Sequence, residues 1–186
     1  ISLGSLRIRQ DFMIALGLTE APFDPNNNKE QAALDLALAR IRQLSAHEIG
    51  HTLGFAHNFA ASANARTSVM DYPHPNLSIE GGKIKLDEAY EEGIGSWDKV
   101  SVSYAYTDFP EGTNEKAALN SILEESTKEG HRFISDRDAR PLGGAHPKAH
   151  LWDNGILATT ELANLMQIRA KALGHLNLDH LRPGEP

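Results

Sequence analysis

The sequence predicts a mainly α fold. Apolar residues recur at three- and four-residue spacing in several long segments, strand signals are few, and proline and glycine cluster between the periodic segments.

Ser5–Leu18, "SLRIRQDFMIALGL", starts as a strand on the alternation of Leu6 and Ile8 and then becomes a short helix closed by Gly17. Ala21–Asn28 is a loop, punctuated by two prolines and three asparagines. Asn28 can cap the next helix, with Gln31 as its capping-box partner, and Leu34, Leu38, Ile41, Leu44 and Ile49 supply an apolar stripe. This helix is expected from about Lys29 to Leu53, with Gly54 in a position to end it through positive φ. Asn58–Gly82 reads as loop, since the prolines of "YPHP" forbid a helix. Helical segments are expected around Leu86–Glu92 and Trp97–Tyr106, separated by "GIG", then at Glu115–Lys128 and Thr159–Leu173. Between the last two lies a long loop, His131–Gly155, rich in Asp, Arg, Gly and Pro.

The chain has 186 residues, 40% apolar and 23% charged, which suits one domain with a hydrophobic core. It contains no cysteine, so thiolate metal sites and disulfides are excluded, and any metal must be held by nitrogen and oxygen. The net charge of −7 arises within residues 80–130. No basic stripe is available to neutralise phosphates, which argues against a nucleic-acid partner. No apolar run approaches the roughly 20 residues that cross a bilayer. Arginines stand where a signal peptide would have its apolar stretch, so the chain is expected to be mature or cut from something longer.

The densest chemical signal is "HEIGHTLGFAH", His47 to His57. On a helix, residues four apart lie about 40° from each other around the axis, so His47 and His51 project from one face and can share a metal. Glu48 stands beside them but off the line of the ligands, where a carboxylate can take a proton from water. A catalytic zinc usually has three protein ligands. His57 can be the third only if the chain turns, because a continued helix would carry it about 15 Å along the axis from His47. Gly54 is the residue that permits that turn. Histidines at i and i+4 also occur by chance in ordinary helices, but a core helix has no use for the added Gly54 and His57.

"HEIGHTLGFAH" resembles the HExxHxxGxxH signature of the metzincin clan of zinc endopeptidases, and "SVMDY", whose Met70 lies 13 residues beyond His57, resembles the Met-turn of that clan. "SLRIRQD", "HNFAAS", "SVMDYPHP", "GIGSWDKVSVSYAY", "SDRDAR" and "AHLWDNG" are similar to stretches of a family of large bacterial secreted zinc-dependent metalloproteases. The resemblance implies that Met70 forms a hydrophobic floor under the imidazoles. It also places Tyr72 where some clan members have a tyrosine that approaches the metal; the alternatives are a phenol that swings toward the substrate carbonyl and one that packs beneath the turn. Clan domains join an upper mixed sheet to a lower, more helical part. Only 46 residues precede His47 here, so the expectation is a single partial metzincin-like domain over residues 1–186 that lacks most of its N-terminal sheet. Its zinc helix would span about 29–54, and 55–186 would carry the Met-turn and the helical lower part. The remainder of a longer parent polypeptide would pack against it, secreted or periplasmic as in the family.

His131, His146 and His150 match no ligand template. Asp136, Arg137, Asp138, Arg140, Asp153 and Asn154 are expected to tie the long loop together, with a calcium site as the alternative. The run Asp87–Glu92 reads as a solvated helix face, and Trp97 and Trp152 as core aromatics. Neither a GxSxG elbow nor a cysteine nucleophile is present, which disfavours a covalent hydrolase. The function expected is zinc-dependent cleavage of peptide bonds in a protein or peptide substrate, with His47, His51 and His57 as ligands, Glu48 as general base and Tyr72 as a candidate catalytic residue. A zinc-stabilised binding module without activity and a zinc hydrolase of non-peptide amides are the rivals.

Overall fold

The computed structural model describes residues 4–19 and 29–177. Their elements are α1 (Ser5–Leu18), α2 (Lys29–Thr52), a 3₁₀ turn (Ser62–Asn64), β1 (Ser78–Glu80), β2 (Lys83–Lys85), α3 (Ser96–Tyr106), α4 (Glu115–Lys128), the one-turn α5 (Asp136–Ala139) and α6 (Ala158–His175). The mainly α class therefore holds, and among the described residues the two short strands are the whole of the sheet. The predicted loop at Ala21–Asn28, and with it the Asn28 cap, lies outside the described residues; Gln31 bonds to Asp35 Oδ1 at 2.7 Å.

The chain forms two compact units. The first comprises residues up to Ser45, Pro75–Glu92 and Thr159 onward. Its core gathers Ala15 of α1, Ala33 and Leu36 of α2, Leu77, Ile84 of β2, Ala89 and Ile168 of α6. β1 and β2 pair antiparallel around Gly81 and Gly82, whose φ of 55° and 78° fit the tight turn that joins strands with right-handed twist. The sequence reading placed β1 in a loop because each strand is only three residues long. Two further expectations are corrected. α1 is helical from Ser5, so the Leu6/Ile8 alternation marks an exposed helix end and not a strand. Leu86–Glu92 is a chain of turns: Ala89 is buried, its carbonyl accepts from the Asn76 amide at 2.8 Å, and Tyr90 lies under the Arg40 guanidinium. These partners on other segments replace the repeating bonds of a helix.

The second unit comprises Ala46–His74 and Gly93–Ala158. In it α3 packs on α4, and Trp97 stacks on Phe133 at 5.7 Å between ring centres. Asn114 caps α4 by accepting the Ala117 amide. A smaller apolar cluster of Phe59, Ala139 and Ala149, with Tyr72, Ile134 and Leu151 against it, lies beside the histidines.

The rotation of α2 differs from the predicted stripe. Leu34, Leu38 and Ile49 are 41%, 42% and 50% exposed, whereas Ala33, Leu36, Ala37, Arg40, Gln43, His47 and Gly50 are buried. These buried positions recur every three or four residues and share one face. His47 lies on that face, so the helix is phased by the site and not by its largest apolar side chains.

Candidate metal centre

α2 ends where the second unit's site begins. Gly54 has φ 89°, its amide donates to the His51 carbonyl at 3.0 Å, and the Phe55 amide donates to the Gly50 carbonyl at 3.1 Å. This is the Schellman pattern that closes a helix through a left-handed residue. It reverses the chain and returns His57 to the two imidazoles that α2 carries. Ring centres are 4.7 Å apart for His47 and His51, 5.3 Å for His47 and His57, and 4.8 Å for His51 and His57. One ligand atom from each of the three lies within 4.8 Å of the others, and no other group of three or more such residues is found among the described residues.

The second nitrogen of each ring is already committed. His47 Nδ1 meets the Val69 carbonyl at 2.7 Å, His51 Nδ1 the Phe55 carbonyl at 2.9 Å, and His57 Nδ1 an Asp136 carboxylate oxygen at 2.9 Å. Carbonyl and carboxylate oxygens only accept, so each Nδ1 carries the proton and each neutral ring keeps its lone pair on Nε2. His51 Nε2 and His57 Nε2 face each other at 3.2 Å. That separation fits the edge of a tetrahedron with Zn–N bonds of about 2.0–2.1 Å. His47 Nε2 is buried without a hydrogen-bond partner among the described residues. A shared proton would join two of these nitrogens and leave the third unmet, whereas a metal ion satisfies all three. Burial, the largest influence, pushes the His47 imidazole below its ordinary pKa and keeps it neutral, as a ligand must be.

Glu48 is half-buried, and its charge acts on the adjacent His47 imidazole, opposing the lowering of its pKa by burial. Tyr72 places its ring 4.9 Å from His47 and 4.8 Å from His57, centre to centre. Met70 is buried, and a Cβ built on Gly50 would come within 2.2 Å of its sulfur. The glycine inside the histidine motif thus makes room for the turn that follows 20 residues later.

Residues without a prior marker hold the turn in place. Asp98, buried in the first turn of α3, accepts the Ser68 hydroxyl at 2.6 Å, the Val69 amide at 2.8 Å and the Gly95 amide at 2.7 Å. Ser68 Oγ in turn accepts the Met70 amide at 3.0 Å. At Gly95 a Cβ would sit 1.9 Å from the Thr67 carbonyl oxygen, so only glycine lets the start of α3 approach this closely. Asn58, fully buried, donates its amide N–H to the Met70 carbonyl and its side-chain NH₂ to Arg132, and its side-chain oxygen accepts from Ala60 and Ile134. It ties the residue after His57 both to the Met-turn and to the segment that leads into Asp136. Desolvation raises the pKa of the Asp136 carboxyl, but hydrogen bonds from His57, from its own backbone and from Ser135 help to leave it below the ordinary value.

The other candidates fall elsewhere. His131 is buried between the Ser96 hydroxyl at 2.7 Å and the Ser126 hydroxyl at 3.1 Å, a hydrogen-bonding role. Arg140 lies over the Phe59 ring. Asp71 is buried; burial raises its pKa to about 7, against the hydrogen bonds from the Tyr72 and Ser62 amides and with added repulsion from Asp153. Trp152 is 44% exposed and stacks on Tyr72, so the core reading of that residue is corrected; its place beside the site makes solvent one of its neighbours.

A family model described as Met-zincin matches residues 29–186. No curated protein and no solved structure matches the chain significantly.

Proposed function

The chain belongs to the Met-zincin family, and from that premise we propose that it is a zinc-dependent endopeptidase whose metal is held by Nε2 of His47, His51 and His57. The observation that carries the reading is the shared orientation of the three rings, each with Nδ1 committed to an acceptor and Nε2 left for a metal. Bound Zn²⁺ supplies Lewis-acid chemistry, polarising a carbonyl and lowering the pKa of water from 15.7 toward about 7.

Glu48 takes the proton of the attacking water and delivers it to the leaving amine, and its place directly after His47, whose imidazole feels its charge, supports that role. Tyr72 donates its phenol to the oxygen that becomes negative as the scissile carbonyl turns tetrahedral; its ring position against two ligand imidazoles supports this. Asp136 orients His57. The substrate is a protein or peptide, and the resemblance to secreted metalloproteases supports a place outside the cytoplasm. The exposed Leu34 and Leu38 support a further partner, the remainder of a parent polypeptide packed on the first half of α2.

Two substitutions test the mechanism. Glu48→Ala is expected to keep its zinc while losing about 10²–10⁴-fold in peptide cleavage. Tyr72→Phe is expected to lower kcat by about 10²–10³-fold with KM and zinc content nearly unchanged. Parent-level turnover by zinc-loaded Glu48→Ala would refute the general base. A zinc-loaded parent that cleaves nothing would favour the non-catalytic binding module.

A further inference from the structure

We propose that Trp152 is the specificity-determining residue of this site, its indole face taking an apolar side chain of the peptide next to the bond that is cut. The inference rests on the endopeptidase proposed above.

Three observations carry it. The first is continuity with the metal centre. Tyr72 lies against the imidazoles of His47 and His57, Trp152 stacks on Tyr72 at 5.3 Å with 28° between the ring planes, and His74 flanks the indole at 6.2 Å. Trp152 is thus one ring removed from the ligands. The second is exposure: Trp152 is 44% accessible although its indole stacks on Tyr72, whereas the next residue, Asp153, is buried.

The third is the backbone. Trp152 has φ 62°, in the left-handed region that favours glycine and disfavours a bulky side chain. Its amide donates to the Tyr72 carbonyl at 2.9 Å, which holds this conformation in register with the tyrosine. Glycine would satisfy such a backbone without strain. A tryptophan there bears strain that glycine would not, and strain of this kind collects at ligand sites.

The chemistry of the face selects the ligand. A flat, uncharged aromatic surface takes phenyl or long aliphatic groups, stacking with ring centres about 4.5–7 Å apart. Ile156 and Leu157, both exposed a few residues on, add to the apolar character of the segment. A cationic side chain over the indole is the competing ligand.

The test uses small zinc-chelating hydroxamates, so that binding is read without turnover. Affinities of the zinc-loaded protein for acetohydroxamate and for the hydroxamates of phenylalanine, alanine and lysine are measured by calorimetry. Trp152→Gly removes the indole and suits the observed φ; Trp152→Phe keeps an aromatic face. The parent is expected to bind the phenylalanine compound at least about tenfold more tightly than the alanine compound. Trp152→Gly should cut that ratio to within about twofold, Trp152→Phe should retain most of it, and all three proteins should bind acetohydroxamate equally. The inference is overturned if the ratio survives in Trp152→Gly, if the parent has no preference, or if it prefers the lysine compound. Failure of zinc-loaded parent to bind acetohydroxamate at all would instead strike the metal centre, and this inference with it.

Discussion

Nδ1 of His57 lies 2.9 Å from a carboxylate oxygen of Asp136, 79 positions further along the chain. The bond fixes the tautomer that leaves Nε2 for a metal and makes the imidazole a better donor. Asp136→Ala is therefore expected to weaken zinc binding by about 10–100-fold, as read by competition with a chelating dye. Unchanged affinity would show that His57 needs no such support.

Asp98 anchors the Met-turn through three donors, two of them on the turn itself. In Asp98→Ala the Val69 amide and the Ser68 hydroxyl lose their buried acceptor. Urea unfolding is expected to show a loss on the order of 3 kcal/mol, since each buried group left unsatisfied costs about 1–3 kcal/mol. A loss below about 0.5 kcal/mol would mean that water replaces the carboxylate freely.

Gly50→Ala sets two effects against each other. Alanine favours the helix by about 1 kcal/mol over glycine. Its methyl group, however, would meet the Met70 sulfur at 2.2 Å, and forcing extra volume into a packed site costs about 1–3 kcal/mol. The clash is expected to win, lowering both stability and zinc affinity. Shortening Met70 to alanine in the same chain should return part of the loss, because the two residues are in direct contact. If the double variant shows the plain sum of the single effects, the contact is not what makes Gly50 necessary.

Asp71 gives a pH signature. Its pKa is raised by burial to about 7 in the folded protein, against 3.8 as the reference for the unfolded chain. Between those values the native state holds a proton that the unfolded state has released. Stability contributed by this group is full below 3.8 and falls as pH rises through about 7. A difference of that size between the folded and unfolded chain is worth about 4 kcal/mol at most. His47, whose pKa is lowered, titrates in the opposite sense, so the readout is the difference between parent and Asp71→Asn in zinc-free protein. That difference should move in favour of the variant as pH rises from about 4 to about 8. A constant difference would contradict the buried, protonated carboxyl.

The histidine cluster was legible because helical geometry and a left-handed break act over short spacings, so His47, His51, Gly54 and His57 form a local pattern. Asp136 and Asp98 were not, since each meets its partner through a long loop whose path no periodicity encodes. Both nonetheless sit in the first turn of a helix, Asp98 buried and bonded to the Val69 and Gly95 amides, Asp136 exposed beside the His57 imidazole. The apolar stripe of α2 misled for a different reason. Leucine and isoleucine are the strongest apolar signal, but the inward face is formed by Ala33, Leu36, Ala37, Arg40, Gln43, His47 and Gly50, a single large apolar residue among small and polar ones. Leu86–Glu92 has helical composition and becomes a set of turns because Ala89 and Tyr90 find partners on other segments. The hairpin carries Gly81 and Gly82 as a turn signal, but its strands are too short for alternation to register.

Zinc stoichiometry by elemental analysis of the purified parent and of His47→Ala, His51→Ala and His57→Ala tests the central claim most directly. The three-imidazole centre predicts roughly one zinc per chain in the parent and a small residual fraction in each variant, because a two-imidazole site lacks one of the three protein ligands. Full zinc content in all three variants, with the fold intact, would contradict it.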